Sequence, residues 1–267
     1  MVFFFVLKVY MEKLTVVKVG GAVVEDKARL SRFLDDFAAM KGLRVLVHGG
    51  GRSATQIASR LGIETTMVNG RRVTDRDMLD VVTMVYGGLV NKNVVAALQA
   101  LGINALGMTG ADLNFMLSHV RPPVNGVDYG FVGDVDKADG KMLSNIVAQG
   151  ITPVIAPLTH DGKGCMLNTN ADTIASETAK ALAPYFDVTL MYCFEKDGVL
   201  ANPDDDSSVI EHIDRESFGK YVIEGVISGG MIPKVENALS SISNGVRRVI
   251  ITNASHLDGC HGTRIEG

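Results

Sequence analysis

Short apolar runs rich in β-branched residues recur along the chain, and each ends in glycine, in a polar loop or in both. Runs of this kind predict β-strands. The six runs are LTVVKV (14–19), LRVLV (43–47), INALGM (103–108), ITPVIAP (151–157), VTLMYC (188–193) and RRVIIT (247–252). Between them, apolar residues recur at intervals of three and four, which predicts helices with one buried face. The helical stretches are 27–40, 75–100, 137–149, 171–183 and 230–244.

Strands that alternate with helices predict an α/β fold, a three-layer αβα sandwich around a mostly parallel open sheet. The segment 115–135 departs from this alternation, because RPPVNG lies between FMLSHV and YGFVGDV. That pattern predicts a β-hairpin, either added to the sheet edge or covering a site as a lid. Within 75–100, Gly87-Gly88 is the candidate position for a break. A modest division near residue 180 predicts two lobes, 1–180 and 181–267, on one continuous sheet.

Composition limits the classes of function. The chain has 267 residues, of which 46% are hydrophobic and 21% charged, with a formal net charge of −4. It is too apolar for disorder, and its charge is too small and too even for a nucleic-acid module. We therefore expect small molecules and a second copy of the chain as partners, with no nucleic acid and no membrane.

The cysteines and the N-terminus bear on location. Cys165, Cys193 and Cys260 are odd in number and widely spaced, so neither a disulfide framework nor a zinc site is indicated, and a reducing cytoplasm is expected. The apolar segment 1–10 is too short to span a bilayer. It is interpreted as an extension upstream of a start at Met11, with an apolar first strand or an oligomer contact as the alternative.

Glycine clusters mark the ends of the first two predicted strands, at Lys18-Val-Gly-Gly21 and at His48-Gly-Gly-Gly51. In open α/β sheets ligands bind beyond the carboxyl ends of the strands, and backbone N–H groups at helix starts bind phosphate. The alternative is that these glycines only permit tight turns. No GxxxxGK[ST] string occurs, so a P-loop is not indicated. The string 49–54 satisfies GxGxx[GA] but follows the second strand, which leaves a dinucleotide oxidoreductase as a weaker alternative.

Three further polar strings are candidate ligand sites. Asn69-Gly-Arg-Arg-Val-Thr74 places two guanidinium groups in a loop, and arginine suits carboxylates. Asn168-Thr-Asn-Ala-Asp172 opens a helix, where Asn170 could equally be a simple N-cap. Ser228-Gly-Gly-Met-Ile-Pro-Lys234 brings another glycine pair and a lysine to a helix start. Taken singly, each string also has a purely structural interpretation.

Taken in order, these strings resemble the amino acid kinase family, and within it the branch that phosphorylates N-acyl-L-glutamate in arginine biosynthesis. Gly130-Phe-Val-Gly133 and Gly262-Thr-Arg264 complete the set, which extends over nearly the whole chain. The resemblance implies an ATP-dependent transferase that uses ATP with Mg²⁺. It would convert the side-chain carboxylate of N-acetyl- or N-succinyl-L-glutamate to the acyl phosphate. Alternatives are another acid kinase of the family, or a non-catalytic nucleotide- or amino-acid-binding sensor.

The resemblance also implies roles for individual residues. The expected catalytic residues are Lys18 and Lys234, which stabilise the transferring phosphoryl group, and Asp172, which holds both lysines. The expected phosphate-binding residues are Gly20, Gly21, Gly50 and Gly51. The expected substrate-binding residues are Arg72, Asn168, Asn170 and Arg71. The expected nucleotide-binding residues are Glu195, Asp197, Gly198, Ser228 and Gly229. No protein ligand to a metal is implied.

Two positions depart from the family pattern. Phe194 precedes Glu195 where relatives carry [ST]-Asp, so the nucleotide preference is open at this loop. Arg71 stands where acetylglutamate-specific members usually have leucine. One hypothesis is that Arg71 pairs with a second carboxylate on the acyl group, as in N-succinylglutamate. The alternative is that Arg71 points to solvent or pairs with Asp75 or Asp77.

The resemblance further implies an organisation into lobes and subunits. Lobe 1–180 would bind acyl-glutamate and carry a homodimer contact, and lobe 181–267 would bind ATP. Arginine-inhibited members carry a long N-terminal helix, for which the roughly 13 residues before the first predicted strand are too few. The expectation is an arginine-insensitive homodimer.

Overall fold

The computed structural model describes residues 11–68 and 70–267, so the hypothesis about residues 1–10 lies outside the described residues. The strands are β1 (Lys13–Val19), β2 (Leu43–His48), β3 (Met67–Val68), β4 (Arg71–Arg72), β5 (Ala105–Met108), β6 (Met116–Val120), β7 (Gly133–Ala138), β8 (Thr152–Ile155), β9 (Leu158–His160), β10 (Met166–Asn168), β11 (Asp187–Phe194), β12 (His212–Ile213), β13 (Arg248–Asn253) and β14 (Thr263–Ile265). The α-helices are α1 (Gly21–Val24), α2 (Lys27–Ala39), α3 (Gly51–Arg60), α4 (Arg76–Val82), α5 (Asn91–Ala100), α6 (Gly140–Ala148), α7 (Ala171–Leu182), α8 (Arg215–Ile223) and α9 (Met231–Ser243).

The main sheet has eight strands in the order β12-β14-β13-β11-β1-β2-β8-β5. Every pairing in it is parallel except β13 with β14. Side chains of β1 alternate between two buried clusters, with Leu14 and Val16 on one face and Val17 and Val19 on the other. Helices α6, α7 and α9 cover the first face, and α2 to α5 cover the second. The predicted three-layer αβα sandwich is confirmed, and β1 and β2 direct their glycine-rich carboxyl ends to one edge.

The antiparallel pair predicted within 115–135 is confirmed as β6 and β7. It is not added to the main sheet, which excludes the first of the two predicted alternatives. The pair belongs to a separate sheet of order β10-β9-β6-β7. The three-residue strands β9 and β10, too short to show a sequence period, supply its remaining edge. Val132, next to β7, bridges to Asn168 at the end of β10, which brings the pair beside a cavity.

The run 76–100 is helical throughout, and the predicted break at Gly87-Gly88 is absent. Thr83–Val90 continues as a π-helix between α4 and α5. Length and composition make this run the candidate for a membrane span among the described residues. Its buried side chains, including Met78, Val82 and Leu98, pack in the cluster that covers the second face of the sheet, as core helices of globular proteins do.

Candidate active site

The two glycine clusters meet where β1 and β2 end. A Cβ on Gly49 would lie 2.9 Å from the backbone nitrogen of Gly21, so the approach of the loops requires glycine there. The buried imidazole of His48 fixes the second loop: its Nδ1 lies 2.7 Å from the carbonyl oxygen of Gly49, and its Nε2 lies 3.1 Å from the side-chain amide of Asn91. Burial lowers the pKa of His48 to about 4. The ring is therefore neutral, with Nδ1–H donating and Nε2 accepting.

Backbone N–H groups at these loops face the site. Gly21 and Gly51 are the first residues of α1 and α3, where N–H groups lack intrahelical acceptors. Within residues 11–68 and 70–267, no protein acceptor is found for the N–H groups of Gly21, Gly50 and Gly51. The N–H of Gly20 is donated to the carbonyl oxygen of Cys193 at 3.2 Å. Of the four glycines predicted to bind phosphate, Gly21, Gly50 and Gly51 thus have N–H groups without a protein acceptor among the described residues, and Gly20 does not.

Two lysines and one carboxylate form an ionic cluster in which Lys18 and Asp172 are largely buried and Lys234 is partly buried. Nζ of Lys18 lies 2.7 Å from Oδ1 of Asp172, and their side chains are only 8% and 13% exposed. Lys234, on the first turn of α9, lines a cavity together with Asp172. Its positive charge favours the ionised form of the Asp172 carboxyl. Burial by itself would raise the pKa of Asp172, but the two ammonium groups outweigh it, so this pKa lies below its ordinary value. Burial lowers the pKa of Lys234, because it disfavours the charged ammonium. The positive charge of Lys18 lowers this pKa further, and the negative charge of Asp172 opposes the shift.

A cavity of about 180 Å³ lies next to the glycines and is lined by the residues predicted to bind the amino acid substrate, Arg71, Arg72, Asn168 and Asn170. Arg72 is 7% exposed, and its Nη2 donates to the carbonyl oxygen of Gly51 at 2.7 Å and to Oγ1 of Thr55 at 2.9 Å. No ion pair to Arg72 is present in the described part of the chain. Its Nη1 also donates to Oγ1 of Thr65 at 3.2 Å. Buried guanidinium groups are normally paired with an anion, which makes Arg72 a candidate anion contact.

The asparagines frame the same cavity. Nδ2 of Asn168 donates to Oγ1 of Thr74 at 2.9 Å, and that hydroxyl donates in turn to the carbonyl oxygen of Arg72 at 3.0 Å. Asn170 caps α7 by accepting the N–H groups of Asp172 and Thr173, as its structural interpretation predicts, while also lining the cavity. Its side-chain oxygen is thus engaged in the cap.

Arg71 joins two cavities. A second one, of about 300 Å³, contains Asp172 and Lys234 and shares Gly70, Arg71 and Asn170 with the first. Burial lowers the pKa of Arg71, and Arg121 adds to this, while Asp134 and Tyr129 oppose it. Asp134 forms an ion pair with Arg121. Among the described ion pairs, none joins Arg71 to Asp75 or Asp77, the partners that the alternative interpretation had named.

The predicted nucleotide residues follow β11 and precede α9. Glu195 lies 3.5 Å from Arg29, and Asp197 lies 3.8 Å from His256; each lines a cavity other than the one around Lys234. A Cβ on Gly198 would approach Thr263 and Val209 at 2.7 Å, which explains the glycine by packing. Ser228 and Gly229 are exposed immediately before α9. The structure therefore groups the catalytic and substrate residues more tightly than the nucleotide residues.

Comparison with known proteins gives the family. The profile of the Amino acid kinase family matches residues 13–253. The chain belongs to this family. Acetylglutamate kinase of Bacteroides thetaiotaomicron is 64% identical over 255 residues, covering 96% of this chain and 99% of that protein. Acetylglutamate kinase of Bacteroides fragilis is 63% identical over 257 residues, covering 96% and 97%.

Solved structures agree with this membership. The smu.665 protein from Streptococcus mutans UA159 has a TM-score of 0.75 at 28% identity, covering 94% of this chain and 98% of that one. Carbamate kinase from Giardia lamblia bound to AMP-PNP has a TM-score of 0.67 at 16% identity, covering 96% and 98%, and supports the fold. The recognition of the amino acid kinase fold is confirmed.

Sequence reasoning missed positioning residues in this amino acid kinase. Glu25, at the end of α1, accepts the N–H of Ser53 at 2.6 Å and ties the two glycine-bearing helices together. Asn91 holds His48 and the carbonyl oxygen of Val154. Both are polar residues within apolar helical segments, and such a residue gives a weak signal that only a tertiary partner can interpret.

Proposed function

We propose that this amino acid kinase transfers the γ-phosphoryl group of ATP to the side-chain carboxylate of N-acetyl-L-glutamate, in arginine biosynthesis. Its relatives at 63–64% identity carry the name acetylglutamate kinase. The observation that carries the proposal is the adjacency of two sites. Arg72, which is buried and has no ion pair among the described residues, lines one cavity. Asp172 and Lys234 line the next, and Lys18 is paired with Asp172.

The proposed chemistry needs charge stabilisation more than proton transfer. A glutamate carboxylate has a pKa of about 4.3 and is ionised at neutral pH, so it attacks without a general base. Two anions must approach, and charge builds up on the transferring phosphoryl group. Lys18 and Lys234 stabilise that charge, and the N–H groups of Gly21, Gly50 and Gly51 add donors. Asp172 orients the lysines and takes no proton, because it is ionised and paired.

The positions of Arg72 and of the two lysines suggest how the substrate is placed. Arg72 attracts the α-carboxylate of the amino acid, and Asn168 lies beside it with its amide held by Thr74. The junction of the cavities then directs the side-chain carboxylate towards Lys18 and Lys234. ATP approaches from the loop after β11 and the start of α9, and we infer that Mg²⁺ enters with it as part of the phosphoryl donor.

The test is ADP formation that depends on N-acetyl-L-glutamate, with the acyl phosphate trapped by hydroxylamine as a hydroxamate. Lys18→Ala and Lys234→Ala should each lower kcat by about 10²–10³-fold, as expected for a lost donor to developing charge. Unchanged kcat in either variant would contradict its role. ATP binding without any acyl-glutamate-dependent turnover would favour the sensor alternative.

A second candidate substrate is N-succinyl-L-glutamate, and Arg71 favours it. This cation lies at the junction of the two cavities without a carboxylate partner of its own among the described ion pairs. A succinyl group would supply that carboxylate. Side-by-side turnover of both substrates tests this candidate. Arg71→Leu should lower kcat/KM for N-succinyl-L-glutamate selectively. A strong preference of the unchanged protein for N-acetyl-L-glutamate would contradict this candidate substrate.

Assembly as a homodimer through lobe 1–180 is part of the proposal. Strand β5 is an edge of the main sheet, and Leu106 on it is 40% exposed. Met84 and Leu89, five residues apart in the π-helix, expose half of their surfaces in the same lobe. Light scattering after gel filtration should give the mass of a dimer, and Leu106→Lys should give a monomer. A monomeric parent protein would remove this part of the proposal.

The proposal also assigns the two substrates to different lobes and places the protein in the cytoplasm. Acyl-glutamate would bind in lobe 1–180 and ATP in lobe 181–267, although β11 of the second pairs directly with β1 of the first. The cytoplasmic location is proposed because three widely spaced, free cysteines suit a reducing compartment.

A further inference from the structure

Phe194, the last residue of β11, lies under both active-site lysines. Nζ of Lys234 is 3.8 Å from the centroid of its ring, and Nζ of Lys18 is 4.7 Å from it. The ring stacks on the buried Tyr192, with centroids 6.2 Å apart and an interplanar angle of 14°. Phe194 is also the position at which the chain departs from the hydroxyl of the family pattern.

The cluster has one carboxylate for two ammonium groups. Lys18 and Lys234 repel each other, and Asp172 is the carboxylate that faces both. Its oxygen is 2.7 Å from Lys18, whereas in the described part of the chain Lys234 has no ion pair. The face of an aromatic ring carries partial negative charge and attracts ammonium groups within about 6 Å of its centroid. The ring of Phe194, whose centroid is 3.8 Å from Nζ of Lys234, therefore attracts this ammonium group in addition to Asp172.

We propose that Phe194 is a positioning residue, which gathers the ammonium groups of Lys18 and Lys234 on its ring so that both are in place before the two anionic substrates meet. This inference rests on the proposed kinase function. It concerns a residue to which the family resemblance gives no such role.

A ring suits this task better than the hydroxyl it replaces. A hydroxyl directs its lone pairs at one or two partners at fixed angles, and it would compete for the hydrogen-bonding capacity of the ammonium groups. An aromatic face attracts a cation without accepting a directed hydrogen bond. The N–H donors of both lysines then stay available for phosphoryl oxygens, which attract them more strongly because those oxygens carry full charge.

The ring should also influence the protonation of Lys234. The groups that face this lysine are Asp172 on α7, Lys18 on β1 and Arg71 on β4, together with the ring itself. Burial lowers its pKa, and the quadrupole of the ring opposes this by favouring the charged form. Loss of the ring without entry of water should therefore lower the pKa further.

The kinetic test compares Phe194→Leu, which keeps apolar bulk, with Phe194→Tyr, which keeps the ring. We expect Phe194→Leu to lower kcat about tenfold, equivalent to about 1.4 kcal/mol. The alkaline limb of its kcat–pH profile should move to lower pH, while KM for the acyl-glutamate changes by about twofold at most. Phe194→Tyr should retain both the kcat of the parent protein and the position of the alkaline limb.

Phe218→Leu is the matched control, because Phe218 is a partly buried ring on α8 of the same lobe with no cation over it among the described contacts. This control should leave kcat and the pH profile unchanged. A Phe194→Leu enzyme with an unmoved or upward-shifted alkaline limb would overturn the proposal. So would Phe194→Tyr failing as badly as Phe194→Leu.

A spectroscopic test is independent of catalysis. In protein labelled with ¹³C at lysine Cε, the signals of Lys18 and Lys234 should be shifted upfield by the ring current and assigned by their loss in Lys18→Arg and Lys234→Arg. The shifts should vanish in Phe194→Leu and persist in Phe194→Tyr. Normal shifts in the unchanged protein would overturn the positioning role. Ring-shifted lysines in a protein without acyl-glutamate kinase activity would instead refute the proposed function alone.

Discussion

Asp172→Asn tests the ionic cluster directly, because it removes the negative charge and keeps the size of the side chain. Lys18 lies 2.7 Å from this carboxylate and has no other carboxylate partner among the described ion pairs. Its side chain is only 8% exposed, so water replaces the lost partner poorly. Removing one partner of a buried pair typically destabilises a protein by about 3–5 kcal/mol, because the other charge stays buried and unpaired. We expect a loss in this range.

That loss converts into a measurable shift of Tm. Unfolding entropy is about 2.1 cal/mol/K per residue, so for this chain of 267 residues the expected fall in Tm is about 5–9 °C. Scanning calorimetry of the full chain measures it. Since the lysines also lose their orientation, kcat should fall by about 10²–10³-fold, as for other lost electrostatic groups. A variant with unchanged Tm would refute the buried ion pair.

The pH dependence of the same variant has a defined sign. The pKa of Asp172 in the folded protein lies below its ordinary value. Its contribution to stability is therefore complete above the unfolded pKa of about 3.9 and is lost as pH falls through the folded pKa. The difference in Tm between the parent protein and Asp172→Asn should be constant near neutral pH and narrow below about pH 4. A difference that widens on acidification would contradict the direction of the shift.

Lys234→Met is the comparator, since it removes one of two mutually repelling cations and places an apolar chain over Phe194. It should lower kcat about as much as Asp172→Asn, by about 10²–10³-fold. Its Tm should be equal to or above that of the parent protein, because a desolvated ammonium without an ion pair is lost. A fall in Tm as large as that of Asp172→Asn would refute the charge imbalance inferred for the cluster.

Two further predictions concern the substrate cavity and the glycine loops. Arg72→Lys loses the forked bonds to Gly51 and Thr55, so KM for the acyl-glutamate should rise by about tenfold or more with little change in kcat; a selective rise in KM for ATP would instead relocate Arg72 to the nucleotide. Gly49→Ala should reduce kcat/KM for both substrates, since the added Cβ would lie 2.9 Å from the other loop. Gly88→Ala, where a Cβ meets nothing within 4 Å, is its control, and equal effects of the two would contradict the close approach.

The sequence was sufficient to predict the main sheet and the meeting of two glycine-rich loops at its edge, for physical reasons. Parallel strands buried on both faces give continuous apolar runs, and β1, β2 and β11 are of this kind. Because carboxyl ends of parallel strands meet at one edge, the residues that follow β1 and β2 had to lie together. The proximity of Gly21 and Gly49 could thus be predicted from their positions alone.

Features that depend on tertiary partners could not be predicted in this way. Strands β9 and β10 have three residues each, so no period identifies them or the second sheet. The π-helix at Thr83–Val90 has the same apolar composition as an α-helix. Phe194 was recognised only as a departure from a pattern, since its role depends on where α9 places Lys234.

The distribution of charge around the cavities predicts a dependence of activity on salt. The net charge of the chain is −4, yet Arg71, Arg72 and Lys234 line two adjoining cavities. Asp172, which is paired with Lys18, is the carboxylate among the described lining residues. A cleft of one sign attracts anions, and this attraction weakens as salt screens it. We expect kcat/KM for the acyl-glutamate to decline as NaCl rises from about 0.05 to about 0.5 M, with a shallower slope in Arg71→Leu. Sucrose at matched osmolarity should not reproduce the decline. Equal slopes in the two proteins would mean that Arg71 does not act on the approaching substrate, because a cation within a Debye length of the cavity must change that slope.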